Sequence, residues 1–300
     1  MSRSITVAAA LAAIGALAFP AAGQAATKPP KKPAKQLYVS LGDSYATGYQ
    51  ATGQGQGANT TDGFANQIPG LARQKGYRLK LVNFGCGGAN TTSILEADGC
   101  APQARAVGGP DYAGQTQIEA AERFIRANRK QVALVTVSIS GNDVTACARA
   151  AEPVPCVAGA VDGIKTRVGE LVRRLRKAGG KKVRIVGTTY PDVILGQWVG
   201  EGANPELAKL SVVAFQALIN PALKETYATV GGEFVDVTAA TGAYGSLDEL
   251  VDFPPYGMIP KPVAEVCRLT YFCEFRDIHA RTEGYRVIAE LVTRTLPRRR

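Results

Sequence analysis

The sequence predicts an α/β fold, a three-layer sandwich in which helices cover both faces of a central parallel sheet of about five strands. Short β-branched runs alternate with segments of helical periodicity, which is typical of right-handed β-α-β crossovers. The run VALVTVSIS is almost continuously β-forming, as expected for a strand buried on both faces. The predicted strands are residues 37–41, 79–84, 132–140, 183–189 and 233–237.

Three segments outside these strands predict helices. Residues 115–128, 157–178 and 283–296 each repeat apolar side chains three or four positions apart, which gives one apolar stripe for packing on the sheet. Thr282 is the predicted cap of the last helix, and Pro297 lies beyond its end. Sites in a parallel sheet form outside the carboxyl ends of the strands, so functional residues are expected there.

The first 35 residues differ from the rest of the chain. Residues 1–26 combine Arg3, a short apolar run and a small-residue stretch, which predicts a secretory signal peptide; an uncleaved N-terminal anchor is the alternative. Residues 27–35 (TKPPKKPAK) predict an extended, solvated leader. Residues 36–300 contain no second linker and no internal repeat, so we expect one domain.

The chain contains six cysteines, and none of their spacings has the C-x-x-C form. In an exported chain an even count predicts disulfides. Six cysteines allow fifteen connectivities, and free buried thiols are the alternative. Pairing between neighbours is the prediction, because each bond would close one loop: Cys86–Cys100, Cys147–Cys156 and Cys267–Cys273.

The formal net charge is +10, which suits weak contact with anionic surfaces. Many of the basic residues lie along one amphipathic helix or in the tail at residues 298–300, and a solvated basic face explains them more simply. Aromatic residues are not interleaved with the basic ones as single-stranded nucleic acid requires, so no nucleic-acid partner is expected.

Residues capable of chemistry lie next to the predicted elements. Ser44, in SLGDSYATG, follows the first strand at a helix start, where backbone N–H groups favour negative charge. The glycines of NFGCGGANT leave N–H groups unshielded, and Asn142 in SGND offers an uncharged amide to an oxyanion. His279 is the only histidine, so a serine nucleophile has one candidate base. Taken separately, the first three motifs are more simply explained as a helix cap, a glycine turn and an Asx-turn.

Together, and in this order, the four motifs resemble the four blocks of the SGNH hydrolases, also called GDSL esterases and lipases. The resemblance covers nearly all of the chain after the leader, and it implies a flavodoxin-like fold. The cysteine layout resembles that of secreted actinobacterial members with three local disulfides. The residues that carry the resemblance are Gly42, Asp43, Ser44, Tyr45, Gly87, Gly88, Gly141, Asn142, Asp143 and His279.

The resemblance implies a role for each of these residues. Ser44 would be the nucleophile and His279 its general base. The oxyanion hole would consist of the Ser44 and Gly88 N–H groups and the Asn142 side chain, with Gly87 as the neighbouring alternative to Gly88. No metal and no cofactor are implied.

The histidine block departs from the usual D-x-x-H-P pattern of the family. Arg276 stands three residues before His279, Asp277 only two, and Ala280 replaces the proline. Positions i and i+2 of a helical turn do not share a side, so Asp277 would be poorly placed to orient the imidazole. The resemblance offers another acceptor, because some secreted members of the family use a main-chain carbonyl at that place, which here would be the carbonyl of Arg276. A dyad with that acceptor is slightly favoured over a triad that contains Asp277.

These observations predict a secreted carboxylic ester hydrolase, an esterase or lipase acting as a monomer on a small-molecule or lipid ester. The positive charge leaves phospholipase or acyltransferase activity on envelope lipids as an alternative. A non-catalytic envelope-binding protein on the same scaffold is a third possibility. The segment FPPYGMIP, residues 253–260, either walls an acyl pocket or forms a surface loop.

Overall fold

The computed structural model describes residues 35–299, so the predictions for residues 1–26 and 27–34 lie outside the described residues. The described part of the chain contains nine strands: β1 (Gln36–Gly42), β2 (Tyr49–Gly53), β3 (Gln56–Asn59), β4 (Leu79–Asn83), β5 (Val132–Ser138), β6 (Arg184–Thr188), β7 (Glu233–Val235), β8 (Leu250–Asp252) and β9 (Met258–Pro260).

The same part of the chain contains twelve α-helices: α1 (Ser44–Thr47), α2 (Phe64–Ala72), α3 (Ser93–Glu96), α4 (Gln117–Ala127), α5 (Gly141–Val144), α6 (Pro153–Gly179), α7 (Pro205–Val213), α8 (Asn220–Ala228), α9 (Val237–Ala240), α10 (Lys261–Leu269), α11 (Phe272–Phe275) and α12 (Thr282–Thr295). A π-helical turn, Ala214–Ile219, joins α7 to α8. None of the helices within residues 35–299 is long and apolar enough to cross a bilayer.

Five strands form one parallel sheet in the order β4-β1-β5-β6-β7. Counted within the sheet, this is the flavodoxin-like order 2-1-3-4-5, in which ligands bind where β1 meets its neighbour β5. The predicted parallel sheet is confirmed, and each of its strands begins within one residue of the predicted start. We call the end where these strands begin the amino edge and the end where they finish the carboxyl edge.

Helices cover both faces of this sheet, so the predicted three-layer sandwich is confirmed. On one face α4, α6 and α8 bury side chains such as Ile118, Val168 and Leu223 against the strands. On the other face α2 and α12 contribute Ile68 and Ile288 to a second cluster. β5 is buried on both faces, which explains its continuous apolar sequence.

The six cysteines form the three predicted neighbour pairs, Cys86–Cys100, Cys147–Cys156 and Cys267–Cys273. The first pair closes the loop that follows β4, and the second closes the segment between α5 and α6. The third joins α10 to α11, just before Asp277 and His279. Each disulfide therefore restrains one of the loops that carry the sequence motifs.

Candidate active site

Ser44 lies where β1 turns sharply into α1. Gly42 has a φ of 135°, and a Cβ at this position would lie 2.0 Å from the carbonyl oxygen of Ser138, so only glycine fits here. The buried side chain of Gln117 holds the turn from the other side. Its Oε1 accepts from the Gly42 N–H at 2.7 Å, and its Nε2 donates to the Gly42 carbonyl at 3.1 Å.

Asp43 caps the short helix that begins with Ser44. Its carboxylate accepts from the Tyr45 N–H at 2.9 Å and from the Tyr190 hydroxyl at 2.6 Å. Burial raises the pKa of Asp43 to about 6, although both hydrogen bonds favour the ionised form. The N–H of Ser44, the first helical residue, needs no intrahelical acceptor and is available to a ligand.

The side chains of Ser44, His279 and Asp277 form a continuous hydrogen-bonded chain. Nε2 of His279 lies 2.7 Å from Oγ of Ser44, and Nδ1 lies 2.7 Å from Oδ1 of Asp277. Burial raises the pKa of Asp277, but the hydrogen bonds and charge of His279 outweigh burial, so the pKa lies below its usual value. This geometry matches a nucleophile, a base and a group that orients the base.

The carboxylate of Asp277 lies beside Nδ1 of His279, at the place where the sequence slightly favoured the Arg276 carbonyl. That preference assumed a helical turn. Arg276 instead has a φ of 54° and ends α11, and residues 277–279 lie outside any helix. In this conformation the Asp277 carboxylate folds back and also accepts the His279 main-chain N–H at 2.9 Å.

Two tyrosines fix the imidazole that faces Ser44. The ring of Tyr49, on β2, lies 4.3 Å from the His279 ring, centroid to centroid. The Tyr45 ring lies 5.8 Å away, and its hydroxyl donates to the Ile278 carbonyl at 2.6 Å. Tyr45 therefore ties the helix that begins with Ser44 to the segment that carries His279. Neither tyrosine was singled out for this contact in the sequence.

The glycine loop after β4 is held against the turn at Ser44. The Cys86 N–H donates to the Gly42 carbonyl at 2.9 Å, and the Gly87 N–H donates to the Ala104 carbonyl at 2.7 Å. Gly88 has a φ of 80°, is exposed, and its N–H has no acceptor among the described residues. Gly88 rather than Gly87 thus retains a donor for a ligand.

Asn142 lies in α5, shortly after the end of β5. One N–H of its amide donates to the Ala89 carbonyl at 2.8 Å, which links it to the glycine loop and leaves the second N–H for another acceptor. Asn142 and Ser44 line one cavity. Asp143 anchors this arrangement, because it accepts from the Thr91 N–H at 3.0 Å and hydroxyl and contacts Arg167.

An apolar cavity of about 100 Å³ extends from Ser44 between α6 and the α7–α8 segment. Its walls include Val154 and Val157 of α6, Leu210 of α7, and Ala214 and Ile219 of the π-helical turn. Segment 253–260 does not line this cavity; it forms the β8–β9 hairpin and packs in a separate apolar cluster. The sequence did not predict the cavity, because its walls come from segments far apart in the chain.

A buried carboxyl group stands behind one wall of the cavity. Asp192 is fully buried and accepts from the Ser211 hydroxyl at 2.8 Å, and Ser211 itself lines the cavity. Burial raises the pKa of Asp192 to about 7. Among residues 35–299, no group of three or more His, Cys, Asp or Glu side chains is placed to hold a metal ion.

Several solved structures have similar folds and are distant in sequence. A lipase from a goat rumen metagenome has a TM-score of 0.51 at 15% identity and covers 86% of this chain and 95% of its own. An extracellular lipase from Streptomyces rimosus has a TM-score of 0.46 at 18% identity and covers 85% and 99%. A phospholipase A1 from Streptomyces albidoflavus has a TM-score of 0.44 at 18% identity and covers 77% and 95%.

At these identities the first of these structures supports the fold alone. The comparison with curated proteins found no match. The sequence model of the GDSL-like lipase/acylhydrolase family matches residues 40–287, which include all four motifs of the site. The chain therefore belongs to the GDSL-like lipase/acylhydrolase family.

Proposed function

We propose that this protein is an exported serine hydrolase that cleaves carboxylic esters, with Ser44 as the nucleophile. The observation that carries the proposal is the hydrogen-bonded chain from Oγ of Ser44 through the His279 imidazole to the Asp277 carboxylate. Such a chain can take a proton from the hydroxyl and stabilise the imidazolium that forms.

In the first half-reaction Oγ of Ser44 bonds to the ester carbonyl carbon, while its proton passes to Nε2 of His279. The carbonyl oxygen becomes an oxyanion and accepts from the N–H groups of Ser44 and Gly88 and from the Asn142 amide. The bond from carbon to the alcohol oxygen then breaks, and His279 returns the proton to the leaving alcohol. An acyl group remains on Ser44.

In the second half-reaction water attacks the acyl carbon and gives its proton to His279. The bond to Oγ breaks, Oγ recovers the proton, and the carboxylic acid leaves. Asp277 stays ionised throughout, consistent with its lowered pKa, and holds the imidazole in the orientation both steps need.

The apolar cavity beside Ser44 is the proposed site of the acyl chain. Most of its walls are apolar, and such surface binds hydrocarbon through burial rather than through hydrogen bonds. Lipid esters with an extended acyl chain are therefore the proposed substrates. Export is proposed because three disulfides require an oxidising compartment and because residues 1–26 have the signal pattern.

Labelling with a fluorophosphonate tests the nucleophile directly. The wild-type protein should gain one probe mass on Ser44 and hydrolyse p-nitrophenyl esters, whereas Ser44→Ala should be unlabelled and lose at least about 10³-fold in kcat. Ser246→Ala, which changes an exposed serine, should behave as wild type. A folded wild-type protein that takes up no probe and cleaves no ester of any chain length would make it a non-catalytic member of the family.

A further inference from the structure

The amino edge of the sheet, opposite Ser44, carries an unusual concentration of positive charge. Four segments meet there: the turn into β4, the turn into β5, the end of α6 with the turn into β6, and the end of α12. The four segments are residues 73–80, 123–132, 173–184 and 294–299. Together they hold about half of the chain's 35 Lys and Arg residues and contain no Asp or Glu.

These segments enclose an open groove of about 930 Å³. No Asp or Glu of the described residues lines it, whereas six basic residues do: Arg129, Lys130, Lys181, Lys182, Arg184 and Arg299. Of these, Arg184 pairs with Glu233. The lysines form no ion pair with any described residue.

Helix termini explain part of this charge but not the lysines of the groove. Basic side chains stabilise the carbonyl ends of helices, and Arg176 does so by donating to the Gly180, Val183 and Val230 carbonyls at 2.7–2.8 Å. Lys130, Lys181 and Lys182 lie beyond the helix ends, are exposed and donate to no carbonyl among the described residues. The positive charges of these three lysines repel one another within the fold and attract anions.

We infer that this groove binds a linear polyanion with repeating phosphate groups, independently of the ester site. A concave, basic channel fits an extended chain, and β1, seven residues long, separates the groove from Ser44 by roughly 20 Å. If a membrane bound at the amino edge, the ester site at the carboxyl edge would face away from the lipids of that membrane. Single-stranded nucleic acid would need stacking surfaces, but the groove's one aromatic residue, Tyr77, is buried under Arg299.

Binding of long-chain inorganic polyphosphate at graded salt tests this inference. The wild type should bind with an affinity that falls steeply as salt rises. The triple variant Lys130→Gln, Lys181→Gln, Lys182→Gln should bind at least about tenfold more weakly and keep its ester hydrolysis. The control variant Lys209→Gln, Lys224→Gln, Lys261→Gln has the same net charge, changes exposed lysines outside the groove and should bind as wild type.

Other outcomes would overturn the inference. Equal weakening in both triple variants would mean that net charge alone attracts the polymer. Absence of binding at low salt, tighter binding to vesicles of phosphatidylglycerol, or tighter binding to single-stranded DNA would each exclude the proposed ligand. The binding measurements do not depend on ester hydrolysis, so they stay informative if the protein cleaves no ester.

Discussion

Asp277 contacts His279 twice through one carboxylate oxygen, at the main-chain N–H and at Nδ1 of the ring. The first contact ties the carboxylate to the main chain that follows α11, and the second orients the imidazole toward Ser44. A residue only two positions before the histidine can therefore do what the family pattern assigns to a residue three positions before it.

We predict that Asp277→Asn lowers kcat by about 10³–10⁴-fold, because an amide can donate to Nδ1 and favours the wrong tautomer of His279. Steady-state hydrolysis of a short p-nitrophenyl ester measures the effect, and unfolding curves check that the variant is folded. Asp62→Asn, on the exposed surface, serves as the control. A loss below about tenfold would return the orienting role to a main-chain carbonyl.

Asn142→Ala should reduce kcat by about 10²–10³-fold with little change in KM, because the amide contacts the oxygen mainly when it carries negative charge. Asn128→Ala is the matched control: its amide also donates to a carbonyl, that of Phe124, but at the amino edge. Equal kcat for Asn142→Ala and the control would show that Asn142 only holds the glycine loop.

Ala214→Phe should shift the preferred acyl chain to shorter lengths. The added ring would fill part of the cavity, so kcat/KM should fall by about tenfold or more for long-chain esters and change little for acetate esters. The control, Val213→Phe, adds the same ring at the preceding position, where the side chain is exposed and does not line the cavity. If both variants keep the wild-type chain-length profile, the acyl chain binds elsewhere.

Tyr190→Phe should make stability depend more strongly on pH. Because burial raises the folded pKa of Asp43 to about 6, the stability this group contributes is complete below its usual value of 3.8 and is lost as pH rises through 6. The Tyr190 hydroxyl offsets part of that loss by donating to the carboxylate. When this hydroxyl is removed, we expect the free energy of unfolding to fall by about 1.5–3 kcal/mol at pH 8 and by about 1 kcal/mol at pH 4.

Urea unfolding at several pH values measures this difference. Tyr38→Phe is the control, because the Tyr38 hydroxyl is also buried but bonds to the neutral hydroxyl of Thr136. Its cost should be independent of pH across this range. A flat profile for Tyr190→Phe as well would mean that Asp43 keeps one protonation state throughout and does not titrate in this range.

The parts of the fold set by local pattern could be predicted from the sequence. Continuous β-branched runs identified all five strands of the parallel sheet, and a regular apolar stripe identified α4, α6 and α12. The four motifs follow strands or precede a helix, and topology brings them to one edge. Ser44 and His279 could therefore be paired before any distance was known.

The remainder depends on contacts that no local pattern records. The cavity forms where α6 and the π-helical turn approach each other, and the support from Gln117 and Tyr190 comes from residues 75 and 147 positions away from their partners. Helical spacing did not place Asp277 beside the imidazole, and the reason is local. Arg276 adopts the left-handed conformation that ends α11, so helical spacing does not apply to the residues after it.

Because of where the three disulfides lie, the loops around the site and the sheet-and-helix sandwich depend on different interactions for their stability. Each bond lies beside one motif loop, whereas sheet and helix side chains form most of the two large clusters. A thiol reductant would therefore release the loops around Ser44 before the sandwich melts, and ester turnover would end while circular dichroism still reports native helices. The working lifetime of the protein would then depend on whether its three loops stay oxidised more than on its melting temperature.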